Sequence, residues 1–552
     1  MKHLFSVLLL LTPLIGTSQS QPLNSQQPIV ISLNQKEGIS LRNNGKGMLE
    51  VFVSDRDIQK IKDRGYVKYS DLGAKGDGET DDLAAIAATH ALANQENLPV
   101  KADHSASYYI GGKALTAIVQ TDTDFGTATF HIDDTDVEDR TKNVFEITSN
   151  LQPYRLTGIS SLKRNQKKID IPLSGASLIT VSNAEVRRYI RYGPNQNDGS
   201  PQTDIFRVDK DGNVDMNAPI VWDFDQITEI HAIPIDEETL SIKGGKFITI
   251  ANQAESKYTY YGRGIAIRRS NVLVVDLEHQ VTGEGEQGAP YSGFLNIRDC
   301  SDVTIRNTVL TGRKTYRTVG SAGVPVSMGS YDISVTRALN VTFERCSQTN
   351  DINDPTYWGI MGSNFSKNLV LDHCSFSRFD AHMGVANATI RNSELGHMGV
   401  NAIGTGTFLI ENSTLYGRNM INLRPDYGST WEGEFIIRNS KFVPAGGRIV
   451  SPHLIGGSNA GQHDFGYQTY MPDQITIENL HIVDTNHPEG YEGPAIFADF
   501  NPKMTDETYQ EFYPQIRTRK VVLNNVTTES GKELRISDNT FLFKDVEVVQ
   551  RK

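Results

Sequence analysis

LVLDHCSFSRFDAHMGV (369–385), ATIRNSELGHMGVNAIG (388–404), FLIENSTLYGRNMINLR (408–424) and FIIRNSKFVPAGGRIV (435–450) align on one another. Each opens with aliphatic or β-branched residues, then a charge, an Asn or His, a small residue and another apolar position. With Leu371, Ile390, Ile410 and Ile437 as equivalents, the steps are 19, 20 and 27 residues. A repeat near 20 residues with strand patterning and no helical period predicts a solenoid of stacked coils, a parallel β-helix. One coil cannot bury its own apolar face, whereas a stack buries it continuously.

The frame extends in both directions. VTIRNTVL supplies Ile305 and Asn307, and VTFERCSQ supplies Phe343 and Cys346. ITIENLHI supplies Ile477 and Asn479, and VVLNNVTT supplies Asn524. Asn follows the inward aliphatic by two positions at 307, 392, 412, 439 and 479. Asn tolerates left-handed backbone and can bond to the next Asn in a stack, so this column is read as structural corners, with His373 in the same column.

The chain has 552 residues, a net charge of −12, 38% hydrophobic and 22% charged residues and 47 Gly. The acidic balance argues against a nucleic-acid partner, which needs a dominant basic surface. MKHLFSVLLLLTPLIGTSQS (1–20) has a basic start, a short apolar run and small residues after it, the pattern of a secretory leader. A secreted or periplasmic protein is expected. No later apolar run is long enough for a membrane span. Of the three Cys, Cys346 and Cys374 fall at the same place in successive coils and are read, with Cys300, as buried free thiols. No metal-ligand spacing is visible among them.

Residues 21–66 read as strands and a cap extension, 67–530 as the solenoid, and 531–552 as a tail or C-terminal cap. Residues 100–180 read as strands with turns. Protruding loops are expected at 185–235, 313–330, 348–359, 424–434 and 451–473. DKDGNVD (209–215) looks like a calcium loop but lacks the Glu at loop position twelve, so a hairpin turn is expected.

GAKGDGETDDLAAI (73–86) leads into an apolar stripe of Ala84, Ile86, Ala87, Ala91 and Leu92 at helical spacing, with Thr80 or Asp81 able to cap the helix. This segment resembles the opening segment of the pectin-lyase-like right-handed parallel β-helix superfamily. That group includes polygalacturonase-like hydrolases, polysaccharide lyases and phage tailspikes. The resemblance, with the coil pattern, spans roughly residues 66–530. It implies an all-β right-handed parallel β-helix with an N-terminal capping helix, in which Asp77, Asp81 and Asp82 are structural. It says little about chemistry, because one fold hosts many reactions.

Alternate strand residues point in and out, and stacking brings outward residues of successive coils to about 4.8 Å. Ala381, Met383, Val385, Val400, Ala402, Ile421 and Leu423 are assigned inward. The outward row is then His382, Asn401 and Asn422, flanked by Asp380, His397, Arg424 and Asp426. The loops around it carry Tyr357, Trp358, Tyr427 and Trp431, ring faces suited to stacking on sugars.

Hydrolysis needs convergent carboxylates. The polygalacturonase branch carries Asn-Thr-Asp, Asp-Asp and Gly-His-Gly, and TNDIND (349–354) and FDAHMG (379–384) are only distant echoes of these. The central coils contain no Asp-Asp pair. Uronate β-elimination needs a cation for the carboxylate, a base for the C5 proton and an acid for the leaving oxygen. Arg424 and Arg378 suit the first role, His382 or His397 the second, and Tyr416 or Tyr427 the third. The expectation is therefore a lyase acting on an acidic, uronate-containing polysaccharide, with no cofactor. Calcium could replace Arg as neutraliser, but no acidic cluster is evident beyond Asp380 and Asp426. A polygalacturonase-like hydrolase and a non-catalytic glycan-binding tailspike or adhesin are the alternatives.

Overall fold

The structure, a computed structural model, describes residues 40–43 and 49–551. Residues 1–20, read above as a leader, lie outside the described residues. An antiparallel hairpin, Ser40–Asn43 with Leu49–Phe52, comes first. The helix Asp55–Arg64 follows, started by the Ser54 side chain, which accepts from Asp57 N, and stopped by left-handed Gly65. The helix Leu83–Glu96 is buried nearly all round, through Leu83, Ile86, Ala87, Ala88 and Leu92. It packs against the first strands of the solenoid and against the hairpin. Asp81 Oδ1 accepts from Leu83 N, while Asp82 accepts from Lys75 N and Gly76 N and so pins the preceding turn.

From there the chain is a mostly β solenoid of parallel strands. Val274 pairs with Ile305, Ile305 with Phe343, Phe343 with Leu371, Leu371 with Ile390, Ile390 with Ile410, Ile410 with Ile437, Ile437 with Ile477, and Ile477 with Leu523. This column is buried throughout and forms the spine of one continuous core. Glu547–Arg551 adds a further parallel strand on Lys520–Thr528.

The corners are Asn ladders. Asn307, His373, Asn392, Asn412, Asn439, Asn479 and Asn525 all have φ between 48° and 54°. Asn479 donates to Asn439 and Asn525 to Asn479, at 2.8 and 2.9 Å. The rung member near the C-terminus is Asn525 rather than Asn524, because Ile477 pairs with Leu523. A second ladder runs through Asp302, Asn340, Asn368 and Asn387, each amide donating to the rung before it. The three cysteines are free and buried.

The main departure from the coil is residues 154–234. Here Tyr154–Arg155, Glu229–Pro234, Ser177–Arg188 and Ser200–Val208 form, in that order, an antiparallel sheet. It has its own core around Ile179, Phe206, Val208 and Phe224. The excursion thus begins before residue 185, and SLITVS (177–182) belongs to it rather than to a coil. Strand alternation alone cannot separate the two. The sheet is seated on the solenoid by Leu178, Ile205 and Ala218 packing on Leu339. A fully buried ion pair, Lys367 Nζ to Asp204 Oδ1 at 2.8 Å, fastens it there. The DKDGNVD segment is a tight turn in which Asp209 accepts from Asp211 N, Asn213 N and the Asn213 amide.

Candidate functional site

Three coils build the site through the strands Ser375–Arg391, Glu394–Glu411 and Asn419–Leu423. Asp380 pairs with Asn401 and Asn401 with Asn422, so these three form the outward row. Inward positions are Ala381, Val385, Val400, Ala402, Ile421 and Leu423, all in the core. Met383 does not point inward: it packs with Tyr189, Ile403 and Tyr427 on the outer side.

His382 is displaced from the expected row, and the register shows why. Ala381 pairs with Ala402 and Val385 with Gly404, so His382, Met383 and Gly384 stand opposite the single residue Ile403. On the preceding coil Ser363 pairs with Ala381 and Asn364 with Met383, which leaves His382 without a partner there too. His382 therefore sits in a β-bulge, a device that re-aims a side chain. Its Nδ1 lies 2.7 Å from Asn364 Oδ1. The amide oxygen can only accept, so the proton is on Nδ1 and Nε2 carries the lone pair. Burial, then the Arg424, Arg378 and Arg191 charges, hold this imidazole well below its ordinary value. It is a neutral base in a cationic setting.

The charges around it are arranged in pairs. Arg378 Nη2 meets Asp380 Oδ2 at 2.6 Å, and Arg424 Nη2 meets Asp426 Oδ2 at 2.6 Å. A third guanidinium comes from the excursion: Arg191 Nε lies 2.8 Å from the same Asp426 Oδ2. Three guanidiniums thus face two carboxylates. The Asn401 amide has two settings: in one its Oδ1 accepts from Asn422 Nδ2 at 2.7 Å, and in the other, turned over, that bond is given up and the oxygen accepts from Arg378 Nε at 3.1 Å. Burial pushes the Asp380 carboxyl up, only partly countered by Arg378 and Arg424. Burial also acts on Asp426, but Arg424 and Arg191 outweigh it and bring it below the ordinary carboxylate range.

The row is roofed. Tyr189–Gly199 crosses it and ties down three other loops. Ile190 N donates to Phe465 O, Tyr192 N to Asp426 O, and Ala322 N to Pro194 O. Asp380, expected outward and exposed, is outward but 0% exposed. Tyr427 is also buried, at 2% exposure, edge-on to His382 at 5.3 Å between ring centroids. Burial raises its phenol.

The remaining expected residues divide. Trp358 is half-buried and stands over Arg378, with the guanidinium carbon 5.6 Å from the ring centroid. Tyr357 turns to the Gly312–Lys314 segment instead. Trp431 is not a wall residue. It is 0% exposed, lies in the core against Phe408 and Phe435, and donates to Gly406 O. Its strand pairs Trp431 with Gly404, and Gly404 with the inward Val385, so the indole falls in an inward column. His397 sits in a second bulge, where Gly396, His397 and Met398 face Ser377, and its Nδ1 donates to Ile352 O. A four-residue strand, roughly 13 Å long, separates it from the His382 bulge. Tyr416 follows Thr414–Leu415, which pairs with Glu394–Leu395 rather than with the Asn401 segment, so it stands apart from the cluster. Arg191, Tyr189 and Asn364 had no signal in the coil pattern, because two of them come from the excursion and the third acts only through the bulge. Among the described residues, no group of three or more His, Cys, Asp or Glu side chains could hold a metal ion, and no helix is long and apolar enough to cross a membrane.

Stacked parallel coils, Asn corners and long loops over one face define a mostly β protein with a parallel-strand, β-helix-like solenoid. Solved structures of that architecture align over most of the chain. The gp61 tailspike of Pseudomonas phage phi297 matches with 13% identity and a TM-score of 0.54, covering 88% of this chain and 84% of that one. The Gp54 tailspike of Acinetobacter baumannii bacteriophage AP22, solved with capsular saccharide, matches with 10% identity and a TM-score of 0.45, over 90% and 81%. A polygalacturonase from Erwinia carotovora matches with 10% identity and a TM-score of 0.30, over 57% and 85%. At these identities the likeness is one of fold. No family model and no curated protein sequence matches the chain.

Proposed function

We propose that the protein is a secreted polysaccharide lyase that cleaves a uronate-containing chain by β-elimination in the cleft around His382. One observation carries this reading: a neutral imidazole, set in a bulge, faces three guanidiniums and only two carboxylates on a protein whose net charge is −12. The excess positive charge suits one substrate carboxylate. Arg424 and Arg378 would neutralise that group and acidify the neighbouring C5–H. His382 Nε2 would take the C5 proton, and the C–H electron pair would become the C4–C5 double bond. The C4–O bond would break, and the leaving oxygen would take the Tyr427 proton. Trp358 would offer its ring face to an adjoining sugar. The helix Leu83–Glu96 would close the N-terminal end of the solenoid, whose strand edge would otherwise be unpaired.

A second reading has its own support. Asp380 and Asp426 flank Arg424 with carboxyl affinities pushed in opposite directions, the pattern of an acid and base pair. Hydrolysis would use them as the acid and base pair. The alternative of glycan binding without cleavage has the same cleft. A panel of polyuronates scored by the ultraviolet absorbance of unsaturated uronate tests all three. Absorbance that disappears in His382→Ala and Arg424→Ala supports the lyase. New reducing ends without absorbance mean hydrolysis, retention without cleavage means a binding protein, and turnover intact in both variants refutes the site.

A further inference from the structure

A cavity of about 200 Å³ lies between the antiparallel excursion and the solenoid face. It is lined by Tyr189, Trp222, Tyr467, Tyr470 and Arg188, among others, with the Arg164–Glu432 pair at its edge. Tyr189, Phe365, Tyr427, Tyr467 and Met383 pack together as a partition between it and His382. The cavity opens into a depression of about 300 Å³ that shares Arg164, Arg188, Val221 and Trp222.

Three features of the lining point to a ligand. The first is the Tyr189 hydroxyl: the residue is 4% exposed, and among the described residues no group hydrogen-bonds this oxygen. Gly384 makes room for it, since a Cβ there would lie 2.7 Å from the hydroxyl. The second is the balance of charge. Glu432 is paired with Arg164, and Asp204 with Lys367. Arg188 bonds only neutral acceptors, Gln202 Oε1 and Gly466 O, while stacked on Trp222 at 4.5 Å. Three of its five N–H groups are thereby used, leaving two. The third is size. Pockets for drug-sized ligands run to roughly 300–1,000 Å³, so this one takes something smaller, of the order of one ring.

The geometry points to a second saccharide site, in which this cavity holds a single acidic sugar unit, its ring against Trp222 and Tyr470, its carboxylate on Arg188 and a hydroxyl on Tyr189. It is independent of the reaction assigned to His382, being walled off from it, and it stands or falls separately.

The chain has three tryptophans, and Trp431 is sealed in the core. In a Trp358→Phe background, changes in indole emission therefore report Trp222. Titration of that protein with D-galacturonate is expected to give a saturable change, with D-galactose at least tenfold weaker. Thr203→Phe, which fills the cavity, abolishes the response, and Tyr189→Phe, which removes only the free hydroxyl, weakens it several-fold. Adding Arg424→Met leaves it intact. A non-saturating response, an equal response to galactose or to benzoate, or persistence in both Thr203→Phe and Tyr189→Phe overturns the proposal. Loss of the response in Arg424→Met does so as well, by placing the signal at the His382 cleft.

Discussion

Arg424→Met removes the guanidinium that most strongly opposes a proton on His382. The His382 ring lies 5.3 Å and the Arg424 guanidinium carbon 5.1 Å from the centre of the Tyr427 ring, so the two charges stand no more than about 10 Å apart. At an effective dielectric of about 20, two unit charges at roughly 10 Å repel by about 1.7 kcal/mol. Losing a repelling cation favours the imidazolium, so the His382 midpoint rises. Asp426, left to Arg191 alone, pushes the same way. Carbethoxylation by diethyl pyrocarbonate, followed across pH by mass spectrometry of the His382 peptide, reads the neutral imidazole without needing turnover. In the parent, modification persists well below the ordinary imidazole midpoint of about 6.5; in the variant the midpoint moves up towards that value. The depressed value also means that the unfolded chain binds a proton the native site refuses, so stability falls as pH drops below about 6.5. A parent midpoint at the ordinary value, or no movement in Arg424→Met, refutes the electrostatic reading of the cleft.

Trp431→Ala should cost about 3–5 kcal/mol in urea unfolding, as for other buried aromatics, whereas Trp358→Ala should chiefly weaken retention on a polyuronate matrix. Lys367→Met leaves Asp204 buried beneath the excursion and should cost about 3–5 kcal/mol, while the double variant with Asp204→Leu recovers most of that loss; a double variant no better than the single would show that the pair does not fasten the sheet. Asn479→Ala removes the two ladder hydrogen bonds of the Asn479 amide and leaves a left-handed position to a residue that tolerates it less well than Asn, a cost of about 2–3 kcal/mol. Asn479→Gly should cost less, because glycine removes the backbone strain but not the lost bonds. Thermal melts of the two variants rank them.

The coil register was legible because it depends on one quantity, the recurrence of a buried aliphatic, and Leu371, Ile390, Ile410 and Ile437 recur however unequal the loops between them. The same pattern gave Asn401 and Asn422 their places, since each has inward neighbours on both sides. It could not place His382. A bulge adds residues to one rung without disturbing the apolar positions that flank it, so Ala381 and Val385 look like ordinary alternation while Met383 between them has turned outward. Burial was harder still. Tyr427 faces away from the core and would be solvated on a bare solenoid; it is enclosed by Tyr189 and Arg191, more than 180 residues earlier, on an excursion whose docking rests on Leu339 and Lys367. Nothing local to residues 369–450 encodes that roof. Trp431 shows the converse: an aromatic beside a long loop reads as a wall, but through Gly404 it continues the column of the inward Val385. The scaffold is thus specified by repetition, and the cleft by departures from it: a bulge and a distant arginine. Those departures are where changes should alter chemistry while leaving the stack of coils in place.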